Sequence, residues 1–123
     1  MKIDYGNMAA EFSRLEVTRN CQWYNDVNEM DQLLAFRCPT NQVIAGVKSR
    51  HDNHHEDRVF GFRCCELVER KLNYCSLTGF INEYDLEMNY ATPHDYVISG
   101  FDSEHNDHHE DRRWKVDICE IEH

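Results

Sequence analysis

The octapeptide HDNHHEDR at residues 51–58 returns as HNDHHEDR at residues 105–112. The shift of 54 residues that superimposes them also aligns Cys21 with Cys75, Cys65 with Cys119, and Asn28, Glu29 and Asp31 with Asn82, Glu83 and Asp85. It places Pro39, Val43, Ile44, Gly46 and Ser49 on Pro93, Val97, Ile98, Gly100 and Ser103. Over 21–68 against 75–122, 17 of 48 positions are identical without a gap, which two chance motifs would not produce. The chain must therefore fold as one supersecondary unit used twice. Residues 1–20 have no counterpart and read as an N-terminal arm, leaving 21–123 as a single domain of two repeats, 21–68 and 75–122. A length of 123 residues suits one core rather than two.

Within each repeat the apolar residues alternate, and Gly, Pro, Asn and Asp punctuate short runs, which is the pattern of β-strands. Leu34, Phe36 and Cys38 share a parity before Pro-Thr-Asn-Gln breaks the run; Met88, Tyr90 and Thr92 do the same before Pro-His-Asp. A second strand runs from Val43 to His51. A third follows the octapeptide, where Phe60, Phe62 and Cys64 alternate with Val59, Gly61 and Arg63, and Trp114, Val116 and Ile118 alternate with Arg113, Lys115 and Asp117. The octapeptide is then the turn of a hairpin, with Asn and Asp supplying the turn chemistry. This predicts an all-β, disulfide-stapled fold of two pseudo-twofold-related sets of antiparallel strands, with Phe60 and Trp114 in the core.

Six cysteines admit 15 pairings, and sequence alone does not normally choose among them. Here the repeat does. Equivalent halves should contain equivalent bridges, Cys21–Cys65 and Cys75–Cys119, leaving Cys38–Cys64. The counterparts of that last pair are Thr92 and Ile118, so both partners are missing together in the second repeat. A zinc site of four thiolates is the alternative, but there is no CxxC pair, and Cys64 and Cys65 are neighbours on one strand and point to opposite faces. Disulfides imply an oxidising compartment.

Charge narrows the partners. Lys+Arg 13 against Asp+Glu 23 gives a net charge of -10, which disfavours nucleic acid and anionic lipid. No apolar run approaches a membrane span. The start, MKIDYGNMAAEF, contains no apolar stretch like a signal-peptide core, so a secreted product would have this chain as its mature form.

The stretches FRCPTNQVIAGVKSRHDNHHEDRVFGFRCC and YVISGFDSEHNDHHEDRRWKVDICEI resemble the dermatopontin family, whose mark is a repeated Asp-Arg-x-Trp-x-aromatic hexapeptide ahead of cysteine. The HHEDRRWK form is most similar to the invertebrate haemagglutinin/amebocyte aggregation factor branch. The first copy has Phe60 where the family has Trp, and the second ends its hexapeptide in Val116 rather than an aromatic. The resemblance implies secreted, extracellular, non-catalytic adhesion to glycans, proteoglycans or matrix glycoproteins, including cell agglutination. A homo-oligomer is compatible with it, and neither nucleic acid binding nor membrane insertion is expected.

The residues themselves must supply the mechanism. Three histidines within five residues at a hairpin tip suit exposure better than burial, so ligand contact is expected from His51, Asp52, His54, His55, Glu56 and Arg58, and from His105, His108, His109, Glu110 and Arg112. Two equivalent exposed tips would provide avidity. For Asp57, Arg58, Asp111 and Arg112 the structural reading is favoured: Glu-Asp-Arg forms ion pairs that lock the turn or tie the halves together. No cofactor is expected. Imidazoles of His51, His54, His55, His105, His108 and His109 beside carboxylates would nevertheless suit zinc or another divalent metal. Calcium through Asp52, Asn53, Glu56 and Asp57 lacks an EF-hand spacing. Catalysis is not expected, since the pattern offers neither nucleophile nor phosphate loop. Imidazole changes charge near pH ~6.5, so binding through such tips should depend on pH.

Overall fold

A computed structural model describes residues 2–5, 8–11, 18–52, 57–68, 70–82, 88–93, 95–106, 108 and 111–122. The described residues form ten strands and no helix: β1 Lys2–Tyr5, β2 Met8–Glu11, β3 Thr18–Tyr24, β4 Leu34–Arg37, β5 Gln42–Asp52, β6 Asp57–Leu67, β7 Lys71–Leu77, β8 Met88–Ala91, β9 Tyr96–Asn106 and β10 Asp111–Glu122. They make three sheets, ordered β3-β6-β5, β4-β9-β10-β7 and β1-β2-β8. Thr18–Asn20, read from sequence as the end of the arm, belongs to β3 and so to the first sheet.

The 54-residue shift holds at the level of backbone pairing. In the first repeat β5 pairs antiparallel with β6 from Gln42↔Glu66 to Asp52↔Asp57, with an irregularity at Ala45 between Ile44 and Gly46. In the second, β9 pairs with β10 from Tyr96↔Glu120 to Asn106↔Asp111, with the irregularity at Ser99, the counterpart of Ala45. The strand added on the other side repeats as well, Thr18↔Leu67 in β3 and β6 answering Leu72↔Ile121 in β7 and β10. Left-handed backbone recurs at Asn20 and Tyr74 and at Asn41 and Asp95. The latter two sit in the turns closed by Gln42 N–H to Pro39 O and Tyr96 N–H to Pro93 O, both 3.1 Å. An extra residue in one strand bends and twists it, so both hairpins are bent at the same place.

The halves share one core. Leu34, Ile44, Phe60, Phe62, Ile98, Phe101, Trp114, Val116 and Ile118 form one buried cluster drawn from both repeats. Phe62 stacks on Phe101 at 5.2 Å, while Trp114 meets Phe60 edge-on at 5.0 Å and Phe101 edge-on at 5.7 Å. Such aromatic pairs contribute about 0.5–1.5 kcal/mol beyond area burial. The alternation read from sequence thus places Phe60 and Trp114 inside.

Three disulfides close the framework as the repeat demands: Cys21–Cys65, Cys38–Cys64 and Cys75–Cys119. The first and third span identical separations of 44 residues. Where the second bridge would recur, buried Thr92 and Ile118 stand instead.

The repeats part company at the strands that precede the turns. β4 leaves its own repeat and pairs with β9, Leu34↔Ser103 through Arg37↔Gly100. It passes so near that a Cβ on Gly100 would lie 2.3 Å from the Phe36 carbonyl oxygen, which requires glycine there. β8, the counterpart of β4, pairs instead with β2 in parallel.

Candidate functional site

Both octapeptides close hairpins, and their rims are held by one device used twice. Asn28 and Asn82 are buried side chains that reach across to the strand after the tip. The Asn28 Oδ1 accepts from the Phe60 amide at 2.8 Å and its Nδ2 donates to the Arg58 carbonyl at 3.1 Å. The Asn82 Oδ1 accepts from the Trp114 amide at 2.8 Å and its Nδ2 donates to the Arg112 carbonyl at 3.1 Å. An Asn amide can both accept and donate, so each one satisfies two backbone groups that a sheet edge would otherwise leave to water. The repeat identity of Asn28 and Asn82 was the available signal for this role.

The arginines that follow are equivalent in sequence and unlike in setting. The Arg112 guanidinium forks onto Asp57 of the other repeat, Nε to Oδ1 at 2.9 Å and Nη2 to Oδ2 at 2.7 Å, and Nη2 also donates to the Gln32 carbonyl at 2.9 Å. Both side chains are almost fully buried, at 4% and 3% exposure. Arg58 is half-buried, and its Nη1 donates to the Ser49 hydroxyl at 3.0 Å. Asp111 is also half-buried. Burial alone would raise the Asp57 carboxyl pKa. Hydrogen bonds from Arg112 and from the Asp31 and Arg58 amides, with the Arg112 charge, overcome that and hold it below the usual carboxylate range.

The histidines divide in the same way. His51 is exposed, and so is His108. His105, which sequence reasoning placed on an exposed tip equivalent to that of His51, is buried: its side chain is 1% exposed, with Nδ1 3.3 Å from Asp31 Oδ1. This correction has a structural cause. The segment before β4 must cross to reach β9, and on the way the Asp31 amide donates to Asp57 Oδ2 at 2.8 Å while Gln32 receives Arg112, so the crossing chain covers one flank of the second hairpin. His54, His55, Glu56, His109 and Glu110 lie outside the described residues, as do Asn53 and the side chain of Asp52.

For metal ligation, the described residues bring His105 together with Asp31 and Asp57, one ligand atom from each lying within 4.8 Å of the others. Asp31 was not among the ligands expected from sequence. Both Asp57 oxygens already accept from Arg112, so a divalent cation there must displace a guanidinium or sit beside its charge. What this group visibly does is join the halves.

The family model described as Dermatopontin matches residues 7–123. The hemagglutinin/amebocyte aggregation factor of Limulus polyphemus is 42% identical over 104 residues, covering 83% of this chain and 60% of that protein. A dermatopontin of Biomphalaria glabrata is 33% identical over 84% of this chain and 70% of its own length. Millepora cytotoxin-1 of Millepora dichotoma is 33% identical over 73% of this chain and 40% of its own. The chain thus spans only part of the length of these relatives. No solved structure matches. Among the described residues no helix is long and apolar enough to cross a membrane.

Proposed function

Because the chain belongs to the dermatopontin family, we propose that it is a secreted, non-enzymatic adhesion protein that agglutinates cells by binding extracellular glycans or matrix glycoproteins through its two hairpin ends. The observation that carries this reading is the duplication: two hairpins of matching register on one disulfide-closed core give a rigid unit with two related ends. A cross-linker needs that valence, because the second attachment is intramolecular once the first has formed. The similarity to an agglutinating Limulus protein supports it. In this reading the buried Arg112 and His105 hold the second end in shape, and the exposed His51 and His108 are the contacting groups.

The test is agglutination and glycan-array binding from pH 5 to 8, with and without EDTA, for the wild type, His51/His54/His55→Ala, His108/His109→Ala and both sets together. Each single set should retain monovalent binding while cross-linking falls. Acid should weaken binding, since protonated imidazoles no longer accept hydrogen bonds from sugar hydroxyls. Binding to matrix glycoproteins that free sugars do not inhibit would establish matrix assembly by protein contact instead. Loss on EDTA with recovery on zinc would establish a histidine metal site.

A further inference from the structure

On the outer face of the first sheet lies a cleft of about 150 Å³ that runs up to the first hairpin end and contains Asn25, Asp26, Lys48, Arg50 and Gly61. Gly61 keeps it open: a Cβ there would lie 3.2 Å from each of Asn25 Oδ1, Lys48 Cε and the Tyr24 carbonyl oxygen. The repeat counterpart of Gly61 is Lys115, whose ammonium lies over the Phe80 ring at 4.6 Å. The charges invert between the same two positions, Lys48 and Arg50 on β5 standing where β9 has Asp102 and Glu104. In the second repeat those carboxylates are already engaged, Asp102 by Arg37 at 2.8 Å and Glu104 by Arg113. In the first repeat, Asp26 Oδ1 lies 3.9 Å from Arg50 Nε, with both side chains about 70% exposed. The Lys48 ammonium is steadied 4.5 Å from the centre of the Trp23 ring.

Charge distribution sharpens the contrast. Residues 21–68 carry five Lys/Arg against seven Asp/Glu, and residues 75–122 carry three against twelve. An anion approaching this acidic protein is repelled by the second repeat and meets two cations at the first cleft. We infer that this cleft, bounded by Asn25, Lys48, Arg50 and Gly61, is a subsite for one acidic sugar unit, a sulfated or uronate-bearing pyranose. The inference deepens the glycan-binding reading and rests on it. The Arg50 fork and the Lys48 point charge take the anion, while the Asn25 amide suits ring hydroxyls. Arg50 directly precedes His51 in β5, so a chain of sugars held at the hairpin end passes into the cleft.

The probes are a sulfated uronate-containing hexasaccharide, the same hexasaccharide without its sulfates, and a neutral N-acetylhexosamine hexamer, measured by calorimetry at 50 and 300 mM salt. Lys48→Gln/Arg50→Gln should weaken the acidic probe about tenfold or more at low salt and leave the neutral one within about twofold. Whichever acidic probe carries the loss identifies the anion. Gly61→Lys is the decisive variant. It adds positive charge yet fills the cleft with the sister repeat's residue, so weaker acidic-probe binding supports a built cleft and stronger binding overturns it in favour of diffuse attraction. Gly61→Ala, a smaller intrusion, should act in the same direction, and thermal unfolding checks that each variant is folded. Arg19→Gln/Lys71→Gln removes equal charge at a separate cleft that both residues line; an equal loss there also overturns the inference. Should every variant bind acidic probes like the wild type while sugars still block agglutination, the subsite falls and the glycan-binding reading stands. If no probe or array glycan binds, both fall.

Discussion

The two repeats are wired alike and covered differently. Register, bend position, left-handed turn residues, the two long-span disulfides and the Asn brace all recur at a shift of 54. Yet Arg112 is locked to Asp57 in the interior, whereas Arg58 bonds to a hydroxyl in a half-buried setting. His105 is enclosed while His51 is exposed. Backbone pairing inside a hairpin is decided by local alternation and turn residues, so a duplicated sequence reproduces it. What lies on the hairpin depends on where a neighbouring strand docks. β4 pairs with β9, whereas β8 pairs with β2.

The largest expected break between the halves is at the ion pair. Removing one member of a buried, hydrogen-bonded pair strands the other, so Asp57→Ala or Arg112→Met should each lower unfolding stability by about 3–5 kcal/mol. The sequence-equivalent changes Asp111→Ala and Arg58→Met should cost about 1 kcal/mol. Urea denaturation measures all four, and equal losses would show that the cross-repeat pair has no special weight. The pair also sets a pH dependence. A carboxyl held low in the folded state contributes stability that is fully present above its unfolded value of about 3.9 and is lost as pH falls through the lower folded value. The acid limb should therefore flatten in Asp57→Asn.

Next in size is the bridge found only in the first repeat. Replacing it by its sister residues, Cys38→Thr with Cys64→Ile, should cost about 2–4 kcal/mol and still leave a folded, soluble chain. Either single change should be worse, because it leaves a lone thiol against a mismatched partner. A double variant no better than the worse single would mean that the second repeat's Thr92/Ile118 solution is not transferable.

The smallest contrast should be no contrast at all. Asn28→Ala and Asn82→Ala each leave a backbone amide and a carbonyl without their partner, and should cost about 1–3 kcal/mol apiece, equal within about 0.5 kcal/mol. Unequal costs would show that the wiring of the halves diverges where the geometry is alike.

Much of this molecule was legible before its structure. Ungapped self-similarity implied a doubled unit, parity put Phe60 and Trp114 inside, and the joint absence of counterparts to Cys38 and Cys64 resolved the bridges; each rests on near-neighbour periodicity or on covalent pairing, which the chain carries in its own order. The octapeptides, identical at six of eight positions, gave no warning that one histidine and one arginine would be enclosed. That difference follows from the path of residues 28–37 across the second hairpin, a docking between segments 63 to 80 residues apart whose energy lies in burial and ion pairing rather than in local pattern. The Gly61 cleft is similar: the sequence contains a glycine facing a lysine in its repeat, but only the packing of Asn25, Tyr24 and Lys48 around it makes that difference a cavity. Periodicity determines which residues pair along a hairpin, and tertiary docking decides how each of two equal ends is covered.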